Sequence, residues 1–257
     1  MQNSQRDDEM SARIERLLAA QPTAPPEARR VRRAFEIKER WVESRRHLGV
    51  AIEVDAEFAE SFRRPGQYVT LKTEGWPARF YVIASRPEPN LWEFLIDRSG
   101  ELGPVLADLE VGERVELSFP EGGGFDASEA AQKTAMLFCT GSAIATMRPL
   151  IESWLGGDHG RPDEIVLYYG ERKPDDFAYE EMLAQWEATE NINIFRAVEE
   201  RSSEQYPYRY VQDAFDAHPV EVQNGYAYLS GAPVMVQMVA QRLLKMGAAP
   251  SRLRINI

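Results

Sequence analysis

The segment from Ala135 to Leu150 constrains this chain more than any other. Ala135 to Cys139 is a short, unbroken apolar run, the pattern of a strand buried on both faces. Thr140-Gly141-Ser142 follows as a turn of small residues, and Ile144, Met147, Leu150, Ile151 and Trp154 then recur at helical spacing. Strand, tight turn and helix make the opening unit of a nucleotide-binding α/β domain. Small residues let a diphosphate approach the backbone, and the helix N-terminus offers N–H groups and positive dipole. The turn is not a GxGxxG, and many α/β proteins make such turns without a ligand, so this stretch alone leaves both readings open.

The rest of the rear half supports an α/β domain. Strands are expected at Glu164–Tyr169, Ile192–Val198, Tyr226–Leu229 and Arg252–Ile257. Helices are expected between them: Asp176–Trp186 capped by Asp175 or Asp176, Tyr210–Ala217, and Val234–Met246 closed by Gly247. Alternating strand and helix predicts a doubly wound parallel sheet over residues 131–257.

The front half reads differently. Leu48–Val54, Gly66–Lys72, Arg79–Ala84, Leu91–Asp97 and Arg114–Phe119 are closely spaced strand signals, broken only by a short helix near Pro104–Leu109. Such spacing predicts an antiparallel β-barrel over residues 31–130. Arg29 to Arg46 is basic in an otherwise acidic chain. Phe35, Ile37 and Trp41 make it a solvated barrel strand, and its charge makes it a docking patch for an acidic partner; both readings stand. Residues 1–30 look like an appendage, with a short helix from Met10 to Ala20 and a linker at Pro22, Pro25 and Pro26.

Composition removes several classes. A formal charge of −11 over 257 residues argues against non-specific nucleic-acid binding. No apolar run approaches the ~20 residues of a membrane span. Met1–Met10 is polar and acidic, unlike a signal or transit peptide, and the cytoplasm is the simplest home. Cys139 is the lone cysteine and reads as a buried apolar residue, and three scattered histidines gather no metal site.

The ordered motifs resemble those of the ferredoxin–NADP reductase-like flavoproteins. Pro65-Gly66-Gln67-Tyr68-Val69 is similar to the family's PGQ turn, and Arg79-Phe80-Tyr81-Val82 to its RxYS flavin motif, with Ile83-Ala84-Ser85 following. GELGPVLADL (Gly100–Leu109) resembles the glycine-led helix that takes the flavin diphosphate, and GSAIATMRPL (Gly141–Leu150) the GTGIAPMRS-type nucleotide loop. Tyr169-Gly170-Glu171-Arg172 resembles the YG-R segment, and Leu229 to Met235 the CGP-M segment.

The resemblance implies FAD in the barrel, NADH or NADPH behind it, and hydride passing from nucleotide to flavin, then to a protein or small-molecule acceptor. The implied flavin site is Arg79, Phe80, Tyr81 and Val82 on one strand, Leu95 and Ile96 on another, and Gly100, Leu102, Gly103 and Pro104 beyond. Arg79 suits a diphosphate, and Tyr81 an isoalloxazine face. The implied nucleotide site takes Thr140, Gly141, Ser142, Ala143 and Ile144 from the first turn and Gly170 and Arg172 from the second. Gly231, Ala232, Pro233 and Met235 complete it. Tyr81, Val82 and Ser230 would stand nearest the reacting rings. Arg172 and Lys173 favour a 2′-phosphate and hence NADPH, against the charge of Glu171.

Four positions depart from the pattern. Val82 replaces a hydroxyl residue, Ser230 a cysteine, and Ala143 and Thr146 the second glycine and the proline of the nucleotide loop. Asn256-Ile257 stand where plant-type members carry an aromatic. The Cβ of Ala143, strain there if the turn needs a positive φ, and the torsion that Thr146 frees together weaken nucleotide binding roughly tenfold or more. An alternative therefore accompanies the reductase: a non-catalytic flavin-binding electron-transfer subunit or sensor with a degenerate nucleotide site.

Overall fold

Alternation shapes the first strand of the front half. In β1 (Arg32–Val42), Phe35 and Ile37 are buried while Ala34, Glu36 and Lys38 beside them are exposed. Five strands follow: β2 (His47–Glu53), buried along all but Glu53, β3 (Tyr68–Lys72), β4 (Arg79–Val82), half-buried throughout, β5 (Leu91–Asp97) and β6 (Arg114–Ser118). These pair antiparallel in the order β4-β3-β6-β1-β2-β5. Just past β4, the Ala84 N–H donates to the Glu93 carbonyl of β5 at 2.8 Å, bringing the two sheet edges together into a nearly closed barrel. This architecture comes from a computed structural model that describes residues 12, 31–87, 90–100, 103–157, 159–200 and 203–256. The expected N-terminal helix and proline linker, Leu102 and Ile257 lie outside the described residues.

One barrel helix was not expected. Helix α1 (Ala56–Ser61) starts where the Asp55 carboxylate accepts the Phe58 N–H at 3.0 Å. Phe58 is its single buried residue and packs on Phe35 and Trp92, with ring centroids 4.7 and 6.0 Å away. A six-residue helix anchored by one side chain leaves no periodicity to read. The expected short helix is α2 (Gly103–Asp108).

The rear half contains five parallel strands: β7 (Thr134–Thr140), β8 (Glu164–Glu171), β9 (Ile192–Val198), β10 (Tyr226–Ser230) and β11 (Leu253–Asn256). Their order is β11-β10-β7-β8-β9, so β7 is central and the connections leave it to opposite sides. Among the described residues, four helices cover this sheet: α3 (Ile144–Gly156), α4 (Glu180–Glu187), α5 (Val211–Ala217) and α6 (Pro233–Lys245). Strand β7 is buried on both faces. Ala135, Leu137 and Cys139 pack with Ile144, Met147, Leu150, Ile151 and Trp154 of α3, while Met136 and Phe138 pack with residues of α5 and α6. Fully burying each large apolar side chain stabilises the fold by roughly 1.5–3 kcal/mol.

Helix α4 corrects one expectation. It begins at Glu180, not Asp176. Pro174–Asp176 form a 3₁₀ turn, and Tyr179 at φ 61° breaks the path before the helix starts. Burial of Phe177, Ala178 and Tyr179 against the α3 side of the sheet draws the chain inward there. Asp176 is no cap; it is buried and meets Arg45 at 2.5 Å.

Barrel and sheet are joined by packing and by polar contacts. The α3-side cluster extends into Ala84 and Leu95 of the barrel and Phe125, Ala127 and Ala130 of the connection. The β1–β2 turn docks onto the segment before α4. Glu43 accepts the Tyr179 N–H at 2.7 Å, and the Ser44 hydroxyl donates to the Asp176 carbonyl at 3.0 Å. Arg148 of α3 pairs with Glu93 of β5, and Asn256 donates to the Gly66 carbonyl at 2.7 Å. The end of the basic run is thus engaged within the molecule. Among the described residues no helix is long and apolar enough to cross a membrane.

Candidate functional site

The C-terminal ends of β7, β8 and β10 open onto a cleft of about 790 Å³. Ligands in open α/β sheets settle at this switch point, where connections diverge. Thr140, Gly141, Ser142 and Ala143 form its floor, Gly170, Glu171 and Arg172 one side, and Gly231, Ala232 and Met235 another. The barrel contributes Arg46 and Asp97 to the same cleft.

Backbone geometry builds this floor. Gly141 has φ +60°, and Gly141–Ala143 make a 3₁₀ turn leading into α3. Neither the turn nor α3 has a side-chain hydrogen bond at its N-cap. N–H groups and the positive end of the α3 dipole are therefore available to an anion. Gly231 has φ +125°, and a Cβ there would stand 2.9 Å from the Thr140 backbone nitrogen. Thr140 fixes the meeting of β7 and β10 by accepting the Ala232 N–H at 2.9 Å. A Cβ on Gly170 would press within 2.8 Å of Val211. Ile144 is buried beneath the turn, while Pro233 is exposed at the start of α6.

Ala143 corrects the expectation of strain. Its φ is −67° and ψ −11°, an ordinary right-handed conformation that alanine adopts freely. Thr146 is buried, with its hydroxyl 3.4 Å from that of Ser230. The two departures from the family pattern therefore face each other across the end of the sheet.

The flavin motif lies on β4, at an edge of the barrel sheet. Arg79, Phe80, Tyr81 and Val82 are all half-buried, with Arg79 opposite Leu71 and Tyr81 opposite Val69 of β3. Phe80 meets the Tyr68 ring edge-on at 5.2 Å. Burial pushes the Tyr81 phenol up to about 12, partly opposed by neighbouring Arg79. Leu95 and Ile96 are buried in β5. Gly100 is exposed, and Gly103 is obligatory because a Cβ would stand 2.6 Å from the Arg98 carbonyl carbon. Pro104 occupies the first turn of α2, where its missing N–H costs little.

A charged network joins the two halves. Arg46 makes two bonds to Asp97 through Nε and Nη2, at 3.1 and 2.5 Å, and a longer one from Nη1 to Glu171 at 3.4 Å. Burial alone would raise Asp97, but its bonds from Arg46 and Ser99 hold it down at about 2. Glu171 goes the other way. Burial pushes it up to about 7, against the pull of the Tyr169 hydroxyl, which donates at 2.9 Å, and of Arg46. His47, buried 3.8 Å from Glu171, is lowered by burial. Cys139 is buried, and its thiol is pushed well up by desolvation.

A second cleft of about 620 Å³ adjoins the first and shares Arg46 and Arg172 with it. Arg98, Ser99 and Pro104 line it beside Lys173, which pairs with Glu200 at 3.1 Å. Of the two cations expected near a ribose phosphate, only Arg172 lines the larger cleft. Sequence reasoning missed Arg46, Asp97, Arg209 and Arg242 as cleft residues. Arg46 had a signal, the end of a basic run, but its destination depends on how two domains pack.

Fold and cleft define the architecture: an antiparallel barrel followed by a parallel α/β sheet, the arrangement of the ferredoxin–NADP reductase-like fold. Residues 137–241 match the family model of the oxidoreductase NAD-binding domain, so the chain carries that domain. The chain is 26% identical over 239 residues to the sulfhydrogenase 2 subunit gamma of Pyrococcus furiosus, covering 88% of this chain and 82% of that one. It is 26% identical over 215 residues to the ferredoxin–NAD(P)+ reductase component of the naphthalene 1,2-dioxygenase system of Pseudomonas putida. That match covers 81% of this chain but only 62% of the relative. The solved ferredoxin NADP+ reductase of Neisseria gonorrhoeae, with bound FAD and NADP, shares the fold at a TM-score of 0.72. It is 18% identical, with 87% of this chain and 97% of that chain covered.

Proposed function

We propose that residues 31–130 hold FAD, that residues 131–257 hold NADPH or NADH, and that the chain passes reducing equivalents to an acceptor protein. The observation that carries this reading is the position of Asp97. It ends the strand that bears Leu95 and Ile96, and it also lines the 790 Å³ cleft. A flavin along β4 and β5 and a nucleotide in the cleft would therefore meet at the domain junction, where Val82, Leu95 and Ala143 pack in one cluster.

FAD, when bound, supplies hydride acceptance and release of electrons singly or in pairs. The protein supplies placement. Arg79 would hold phosphate, and Tyr81 would present a ring whose hydroxyl stays protonated across the working range, given its upward shift to about 12. Val82 offers only backbone groups to the flavin. The Gly141–Ala143 turn would take the nucleotide diphosphate, and Ser230, 3.4 Å from Thr146, would sit beneath the nicotinamide. Arg172 favours a 2′-phosphate, and Glu171 opposes it less than expected because it is buried against Arg46.

Ala143 also bears on the alternative. The case for a degenerate nucleotide site rested in part on strain at Ala143, and its right-handed geometry removes that part. Anaerobic addition of NADPH or NADH to the yellow protein tests the reading. Bleaching of the flavin band is expected, faster with NADPH. A flavoprotein that neither nucleotide bleaches belongs to the non-catalytic alternative, and a colourless protein that ignores added FAD ends both.

A further inference from the structure

Arg46 comes from the β1–β2 turn of the barrel, yet it lines the cleft of the other domain. Asp97 orients it through Nε and Nη2, at 3.1 and 2.5 Å. That leaves Nη1, which reaches Glu171 at 3.4 Å and stands 4.0 Å from where a Cβ on Gly141 would be. Charge-assisted bonds from a guanidinium usually run about 2.7–2.9 Å. Nη1 is therefore held loosely, directly beside the glycine that opens the turn into α3. A cation fixed on one side and underused on the other is suited to an incoming anion, and the planar arginine fork permits both engagements at once.

We propose that Arg46 is a barrel-supplied ligand for the diphosphate of the pyridine nucleotide, and that Glu171 is a placeholder that yields Nη1 when the nucleotide arrives. This rests on reading the 790 Å³ cleft as the nucleotide site. Glu171 can release the contact without being left unpartnered, since the Tyr169 hydroxyl still donates to it at 2.9 Å. The other charged or titratable groups facing it are His47 from β2, Asp176 from the turn before α4, and Cys139 from β7. Both domains then grip one ligand, so that nucleotide binding tightens the junction across which the reducing equivalents move.

Calorimetric titration of the FAD-loaded protein with ADP-ribose tests this, because that probe carries the diphosphate without the nicotinamide. Work at about pH 8 keeps Glu171, which titrates near 7, ionised. Arg46→Gln is expected to weaken binding about ten- to a hundredfold, and Arg46→Lys less. Glu171→Gln is expected to tighten it by several-fold, because the competitor for Nη1 has lost its charge. Adenosine binding should respond to none of the three. A latch that only holds the domains together would not give these opposite signs. Binding by Arg46→Gln equal to that of the unmodified protein overturns the inference, as does weakening by both Arg46→Gln and Glu171→Gln. FAD-loaded protein that binds no ADP-ribose overturns the reading of the cleft as well, which separates the two failures.

Discussion

The two proposed cofactor regions are built from different materials. In the α/β domain the cleft floor is backbone: Gly141, Gly170 and Gly231 stand where a side chain would collide or leave its allowed conformation. In the barrel the proposed flavin edge is side chain: Arg79 and Tyr81 stand on an edge strand whose backbone is ordinary sheet. The difference teaches where each half is fragile. Adding an atom should damage the rear site, and removing atoms should damage the front one.

The largest expected effect adds one carbon. Gly231→Ala forces φ +125° on a residue with a Cβ, and that Cβ would stand 2.9 Å from the Thr140 backbone nitrogen. Strain and displacement together should cost about 3–4 kcal/mol of stability, read as a lowered Tm. Unchanged melting would show that the floor can shift, and the contrast between the halves would fail there.

The junction between the regions comes next, through two carboxylates that share Arg46 and titrate oppositely. Glu171 has a folded-state pKa of about 7 against an ordinary 4.5. Its stabilisation is fully present below about pH 4.5 and is lost as pH rises through 7, by about 3 kcal/mol at most. Asp97 is depressed to about 2 from 3.8, so its contribution is present above about pH 4 and is lost as pH falls through 2. Glu171→Gln should flatten the neutral limb of a stability–pH profile and leave the acid limb, while Asp97→Asn should do the reverse. A single limb lost in both variants would mean that the pair acts as one unit.

In the barrel, Arg79→Ala should weaken FAD retention by roughly 1.5–3 kcal/mol while leaving melting of the apoprotein nearly unchanged. Flavin release measured by ultrafiltration checks it. Equal retention would show that β4 holds the flavin through its backbone, as the rear domain is proposed to hold its nucleotide.

This difference in materials also explains what the sequence revealed. Strand β1 shows by alternation, and β7 shows as an unbroken run because Ala135 to Cys139 face two cores in turn. The glycine turns are visible because no other residue fits them. Local patterns end where packing decides. Helix α1 depends on one buried phenylalanine, and α4 starts late because Phe177 to Tyr179 are drawn into a core assembled from distant segments. The Arg46 network brings together residues separated by up to 125 positions, and nothing near Arg46 in the chain announces Asp97 or Glu171. Charge was legible, but its partners were not.

The smallest expected effect is at Ala143, where the contrast is sharpest. Restoring the family's glycine should have tightened nucleotide binding about tenfold if alanine were strained there. Its φ of −67° and ψ of −11° lie where alanine is unstrained, so that gain has no source. Glycine would instead loosen the turn by enlarging its conformational freedom, at a cost of about 0.5–1 kcal/mol in stability. Nucleotide affinity of Ala143→Gly should stay within about threefold of the unmodified protein. Thr146→Pro is expected to be no improvement either, because Thr146 is buried with its hydroxyl 3.4 Å from Ser230 and proline removes that contact. A titration of each variant with NADPH decides the matter. Tenfold tightening by glycine alone would show that the Cβ of Ala143 obstructs the diphosphate directly, and the floor of the cleft would then owe as much to side chains as the flavin edge does.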